Sequence, residues 1–138
     1  MNRKDLQALC QLRAREARYL LRGGHLAGAY YLLGYSVECG LKACIAKRVQ
    51  RYDFPDKQLA HEVYTHSLPT LLKAAQLQQV LAADMGNNAA LELNWSIVKD
   101  WSERARYDPP KPAHIVNDFF SACTSRKNGI LPWLKKHW

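Results

Sequence analysis

A nearly apolar stretch over about residues 26–49 constrains the fold of this chain more than any other feature. It contains a single acid, Glu38. At about 100° per residue in a helix, Glu38 lies on the same face as Gly34, Leu41 and Ile45. An unpaired carboxylate on a buried face would cost several kcal/mol or stay protonated. The fold must therefore supply a cation, a set of hydrogen-bond donors or a wet cleft beside Glu38.

Helical spacing of apolar residues continues along the rest of the chain, and no segment shows sustained two-residue alternation. The connections are short, which favours antiparallel neighbours. The pattern predicts a single all-α domain over residues 1–138, an up-and-down antiparallel helical bundle of four to five main helices plus a short C-terminal helix. The predicted helices span about residues 4–22, 26–49, 67–84, 89–105 and 112–127, followed by a short helix within 130–138.

Several residues mark the predicted helix ends. Gly23 and Gly24 end the first helix, and Ser67 is a plausible N-cap of the third, with Pro69 in its first turn. Gly34 and Gly40 inside the second helix each cost about 1 kcal/mol relative to alanine, which predicts close approach of a neighbouring helix. Residues 50–62 are predicted to form a loop that carries an aromatic anchor.

Composition limits the classes of function. The 138 residues carry a formal net charge of +8, which favours polyanionic partners such as RNA or DNA. The four cysteines show no paired CxxC spacing, so we expect neither a metal site nor a disulfide framework, and no motif indicates a cofactor. The chain opens without an apolar signal segment, and its longest apolar run is shorter than the roughly 20 residues that span a bilayer. We therefore expect a cytoplasmic protein with no membrane partner.

A second group of polar residues follows Trp101, where Arg104 and Arg106 precede a proline-rich turn. One interpretation is that they satisfy the last carbonyls of the fourth helix and complement its dipole. The alternative is that one of them reaches the second helix and pairs with Glu38, forming a phosphate-binding cleft. His114 opens the fifth helix, where a neutral imidazole could be a general base, although an isolated histidine is more often structural.

Taken in order, three segments resemble the HEPN domain family, named for higher eukaryotes and prokaryotes nucleotide-binding. They are residues 29–43 around Glu38, the segment that begins His66-Ser67-Leu68, and residues 101–107 followed by Pro109. The resemblance implies a helical bundle that homodimerises and binds a nucleotide or RNA at the dimer interface, in a bacterial toxin-antitoxin or defence context, with a minimal nucleotidyltransferase as a further partner. By position, it implies that Glu38 and Arg106 are site residues, and we expect Glu38, Arg104, Arg106 and Tyr107 to bind the ligand.

Ribonuclease members of that family carry an arginine and a histidine separated by four to six residues. Here Arg106 and His114 have seven residues between them (114 − 106 − 1). In a metal-independent ribonuclease the histidine would take the 2′-hydroxyl proton while the arginine stabilises the phosphorane. The longer spacing favours a binding domain over an enzyme. A ribonuclease toxin that uses Arg106 and His114 is the first alternative, and a protein-association bundle without a ligand is the second.

Overall fold

The computed structural model describes residues 1–49 and 63–138, and over these residues the chain forms seven α-helices, one 3-10 helix and no strand. The predicted all-α helical bundle is confirmed. The predicted loop at 50–62 lies outside the described residues. The helices are α1 (Arg3–Arg22), α2 (Leu26–Arg48), α3 (Leu68–Ala74), α4 (Gln78–Gly86), α5 (Ala89–Val98), a 3-10 helix (Glu103–Tyr107), α6 (Ala113–Thr124) and α7 (Ile130–Lys135).

A tight turn joins α1 and α2 into a hairpin. Gly24 adopts the left-handed conformation with φ of 80°, where a side chain would be strained. The amide of Gly24 donates to the carbonyl of Leu21, and the amide of His25 donates to that of Leu20. These paired hydrogen bonds form a Schellman motif, which ends the first helix where the glycine pair predicts.

Helix α2 is the central helix of the bundle, because it packs against α1, α3, α6, α7 and the 3-10 helix. Nearly every side chain from Leu33 to Ile45 is buried, whichever face it occupies. A helix that is apolar all round can be stable in water only when other elements surround it. The segment with the most constraining sequence therefore lies at the centre of the core.

The third predicted helix is interrupted, so its predicted continuity is wrong. Ser67 does cap α3, since its hydroxyl accepts a hydrogen bond from the amide of Thr70. Gln76, however, has a φ of 58°, and the amide of Leu77 donates to the carbonyl of Leu72 in a second Schellman motif. Leu77 turns into the core at this break. Because glutamine rather than glycine occupies the left-handed position, the sequence gives no local stop signal there.

The fourth predicted helix is also shorter than expected, because α5 ends at Val98 instead of continuing to residue 105. Trp101 leaves the helix and buries its indole against α2, where only 2% of its surface stays exposed. Arg104 and Arg106 consequently lie on the separate 3-10 helix and not at the end of α5. Ser102 caps this short helix by accepting a hydrogen bond from the amide of Arg104.

Both glycines inside α2 make room for a neighbour, as predicted. A Cβ atom at Gly34 would lie 2.0 Å from the indole of Trp101, and one at Gly40 would lie 3.2 Å from Leu134 of α7. Helix α6 confirms the fifth predicted helix, although it ends at Thr124, before the expected stop. Within the described ranges, no helix has both the length and the apolar character that crossing a bilayer requires.

Candidate functional site

Glu38 is almost completely buried, with 2% of its surface exposed, and both of its carboxylate oxygens are engaged. Lys42, one turn further along α2, donates to Oε2 over 3.2 Å. The Nδ1 atom of His66 lies 2.7 Å from Oε1. The expected pairing of Glu38 with Arg104 or Arg106 is wrong, because its ionic partners among the described residues are Lys42 and His66.

His66 connects two acids from different parts of the fold. While Nδ1 faces Glu38, its Nε2 atom lies 3.0 Å from Oε2 of Glu103, the first residue of the 3-10 helix. Each contact is a hydrogen bond only when a proton lies between the ring nitrogen and its carboxylate oxygen. The imidazole thus joins the buried acid of α2 to the start of the 3-10 helix.

A local hydrogen bond and a neighbouring ring define the surroundings of His66. The amide of Ser67 donates to the hydroxyl of Thr65 over 3.1 Å, which holds the backbone around His66. The ring of Tyr35 lies 6.0 Å from that of His66. Burial, and then the nearby Glu38 carboxylate, raise the pKa of the Tyr35 phenol, which keeps this neighbour uncharged.

A pocket of about 340 Å³ opens beside His66 and the start of the 3-10 helix. Its volume lies at the small end of the range for ligand-binding pockets, about 300–1,000 Å³. Hydroxyl groups, one lysine and two acids provide most of the polar atoms in its wall. The lining residues are Thr65, His66, Ser67, Pro69, Lys99, Asp100, Trp101, Ser102 and Glu103. The wall therefore suits a polar ligand rather than an apolar one.

The 3-10 helix exposes three side chains immediately after this pocket wall. Arg104 and Arg106 are exposed, and so is Tyr107, with 78% of its surface accessible. The guanidinium carbon of Arg106 lies 4.8 Å from the centre of the Tyr107 ring. Tyr107 is also the main cause of a raised pKa of Arg106, which remains a cation throughout the ordinary pH range. The site thus presents two exposed guanidinium groups and an exposed aromatic ring.

His114 lies in the first turn of α6 and is exposed. Within the described part of the chain, no hydrogen bond joins it to Arg106. The structure brings together Glu38, His66 and Glu103. The predicted ligand-binding residues Arg104, Arg106 and Tyr107 follow Glu103 on the 3-10 helix. Among the described residues, no comparable side-chain contact joins Arg106 and His114, the predicted catalytic pair.

Three site residues were missed as partners of Glu38 or His66 by sequence reasoning, and their signals differ. Lys42 follows Glu38 by four positions, the spacing of an ion pair on one helical face, so the sequence could have indicated it. His66 lies next to a predicted N-cap, which explains its place at a helix entry but not its partner. Glu103 gave no signal, because its position depends on the unpredicted end of α5.

Comparisons of the chain with family models, with curated proteins and with solved structures give no match.

Proposed function

We propose that this protein is a HEPN-like domain that homodimerises and binds a nucleotide or RNA through its 3-10 helix and the adjoining pocket. The observation that supports this most is the pair of exposed guanidinium groups on the 3-10 helix, whose first residue contacts His66 and thereby the buried Glu38. Because the start of the 3-10 helix is held to the core in this way, the backbone that carries Arg104 and Arg106 is already positioned before a ligand arrives.

The exposed groups match the parts of a nucleotide. Arg104 and Arg106 can bind phosphate oxygens in the bidentate fashion of guanidinium groups. The accessible face of Tyr107 can stack on a base, a contact that tolerates any base. Inside the pocket, the hydroxyls of Ser67 and Ser102 can bind sugar hydroxyls. In this proposal the phosphate binds at the exposed arginines, which form the rim of the pocket, and the sugar binds inside the pocket.

The charges in the pocket support the same arrangement. Asp100 and Glu103 line the wall and disfavour a phosphate group inside the pocket. At the rim, the guanidinium groups face solvent and the whole chain carries a net charge of +8. Phosphate is therefore better accommodated outside the acidic wall than within it.

Binding is favoured over catalysis because His66 and Glu38, two of the candidate bases in the central network, are already engaged with protein groups. A general base must have a nitrogen or oxygen within hydrogen-bond reach of the substrate proton. Both nitrogens of His66 and both oxygens of Glu38 already contact protein groups. The proposed domain therefore holds its ligand without proton transfer by Glu38 or His66.

A homodimer, a toxin-antitoxin or defence role, and a nucleotidyltransferase partner belong to the same proposal and rest on the resemblance of the sequence. Light scattering after size-exclusion chromatography gives the mass in solution and therefore tests the dimer. We expect twice the 15.8 kDa of one chain. A monomer at all concentrations would remove the dimer from the proposal.

The binding test compares Arg104→Gln/Arg106→Gln with a control that removes the same charge elsewhere, Lys73→Gln/Arg126→Gln. All four positions are exposed. Anisotropy of a labelled ten-nucleotide RNA, and competition by ATP, measure affinity. Loss of even one charge-assisted contact, at about 1.5 kcal/mol, weakens binding about tenfold. We expect at least that loss in the first variant, a smaller loss in the control, and an affinity that falls steeply with salt.

Equal affinities of the two variants, or binding that does not depend on salt, would contradict the proposal. The same RNA, incubated with the protein and a chelator, tests the ribonuclease alternative on a gel. Cleavage that disappears in both Arg106→Ala and His114→Ala would replace the binding proposal with catalysis by that pair. Binding of no RNA or nucleotide at all would leave protein association as the function.

A further inference from the structure

Helix α1 (Arg3–Arg22) carries half of the net charge of the protein. The whole chain has 20 basic and 12 acidic residues, a net charge of +8. Helix α1 has six basic and two acidic residues, a net charge of +4. One helix with this excess presents a concentrated positive field to solvent.

The two acids of α1 are already engaged with neighbours on the helix. The carboxylate of Asp5 accepts a hydrogen bond from the amide of Asn2 in a capping box. Glu16 forms an ion pair with Arg13. Across the described ranges, the ion pairs include no carboxylate partner for the remaining arginines of α1 or for Lys135. These cations are therefore available to an external anion.

The available cations share one exposed face. Arg15 lies three and four residues before Arg18 and Tyr19, which lie four and three residues before Arg22, and all four side chains are exposed. At about 100° per residue they lie within an arc of about 100° on the helix. The two acids lie outside this arc. The face is thus a continuous cationic stripe with one aromatic ring on it.

Lys135 of α7 completes a hollow beside this stripe. The hollow has a volume of about 250 Å³ and is lined by Gln11, Ala14, Arg15, Arg18 and Lys135. Three of the five lining residues are cations, and one is an amide. Because most ligand pockets have a volume of about 300–1,000 Å³, this hollow is small for a complete nucleotide but adequate for a phosphate group.

From this arrangement we infer that the α1–α7 face binds the backbone of a single-stranded nucleic acid, with a phosphate in the hollow and a base on Tyr19. Proteins that bind single strands combine a cationic groove with exposed aromatic rings. Tyr19 has 79% of its surface exposed and lies one turn from Arg15. The centre of the Trp138 ring lies 5.9 Å from the ammonium of Lys135.

This surface is separate from the pocket beside the 3-10 helix. On α2, Gly34 faces Trp101 of the pocket wall, whereas Gly40 faces Leu134 of α7 and Cys10 of α1. Gly34 and Gly40 are six positions apart, so at about 100° per residue the two directions differ by about 120° around the helix. The inference therefore goes beyond the proposed function, and neither depends on the other.

An anionic lipid surface would also supply phosphates, but α1 lacks the exposed apolar face that membrane-lying helices insert among the lipids. Most of its apolar residues are buried or partly buried against the core, and the large ones that are exposed in the helix are Leu12 and Tyr19. A nucleic-acid strand needs only phosphate contacts and a ring for stacking, and the stripe provides both. The chemistry of α1 thus favours the strand.

The test uses the variant Arg15→Gln/Arg18→Gln/Lys135→Gln of the full chain. These positions are exposed, and glutamine favours the helix, so the fold is retained, which far-UV circular dichroism checks. A control, Lys73→Gln/Arg126→Gln/Lys127→Gln, removes the same charge from other exposed positions. Anisotropy of a labelled 20-nucleotide single-stranded RNA is measured between 50 and 200 mM KCl.

Each phosphate contact on a single strand contributes about 0.7 to the slope of log affinity against log salt. Arg15, Arg18 and Lys135 line the hollow that holds one phosphate, so loss of that contact reduces this slope by about 0.7. Affinity at 50 mM KCl falls at least tenfold, while the control keeps most of the slope and affinity. Independently, Tyr19→Ala weakens RNA binding about fivefold or more, because the stacked base is lost.

Equal effects of the two triple variants would show that only net charge matters and would overturn the inference, as would an unchanged slope in the first variant. Binding to vesicles that contain phosphatidylserine tests the lipid alternative. If the first variant loses vesicle binding while RNA binding is unaffected, the face is a lipid surface and the inference is wrong. Both triple variants are also measured in the Arg104→Gln/Arg106→Gln background, where the pocket no longer contributes to RNA binding, so either site can fail while the other stands.

Discussion

Replacement of Gly34 by alanine tests the packing on which the candidate site depends. The new Cβ would lie 2.0 Å from two atoms of the Trp101 indole and 2.2 Å from a third. Ordinary contact between carbon atoms is about 3.5–4.0 Å, so the indole would have to retreat by roughly 1.5 Å or more. Trp101 is 2% exposed and packs edge-on against Tyr35, which leaves little room for that movement.

Two effects of opposite sign determine the change in the free energy of unfolding. Alanine gains about 1 kcal/mol over glycine from helix propensity. Overpacking a filled core costs about 1–3 kcal/mol, and displacing a tryptophan completely costs about 3–5 kcal/mol. Because the overlap at Gly34 is severe, the packing cost wins. We expect Gly34→Ala to lower the free energy of unfolding by about 1–4 kcal/mol.

Urea denaturation followed by far-UV circular dichroism measures this change. Gly86→Ala in α4 is the matched control, since a Cβ there has no neighbour within 4 Å and should be neutral or stabilising. The decisive measurement repeats Gly34→Ala in a Trp101→Ala background. With the indole absent, the alanine should become neutral or stabilising. If Gly34→Ala destabilises both backgrounds equally, Trp101 is not the reason for the glycine and the reasoning is refuted.

Two further measurements examine the acid network and the buried thiols. Glu38→Gln should lower the free energy of unfolding by about 1–3 kcal/mol, because it weakens buried charge-assisted contacts. Glu103→Gln should lower it by less than about 1 kcal/mol, since its contact with His66 is about one-third exposed. Urea denaturation measures both changes, and a larger effect of Glu103→Gln would contradict this assignment. Burial is the main cause that raises the pKa of Cys39 and Cys44 to about 12, from an ordinary value of 9.0. Between pH 9 and pH 12 these thiols keep their protons in the folded state but lose them in the unfolded state. The stabilisation is therefore complete below pH 9 and is lost as the pH rises to 12, at up to about 1.4 kcal/mol per pH unit for each thiol. Denaturation of Cys39→Ala/Cys44→Ala across that range should show a flatter decline than the native chain, and parallel declines would show that these thiols do not titrate as described.

Most of the fold could be predicted from local pattern, and the failures share one cause. Apolar spacing located α1, α2 and α6, and Ser67 marked the start of α3. The breaks at Gln76 and after Val98 were missed because each forms when a nearby side chain turns into the core, Leu77 in one case and Trp101 in the other. Such a turn depends on space offered by distant residues, which periodicity does not report.

The candidate site divides in the same way. That Glu38 is buried and needs partners follows from its place among apolar residues, and Lys42 is within reach on the same helix. The choice of His66 over the arginines depends on how α3 and the 3-10 helix dock against α2.

The sequence by itself determined that the chain is helical, which segment forms the central helix, and that this helix carries an acid which must be neutralised. Only the tertiary structure decided which side chains do so and where the cations are exposed. Helical period is a local property, because it depends on residues within one or two turns. The partner of a buried charge comes from elements far apart in the chain, and their meeting is determined by the packing of the whole core.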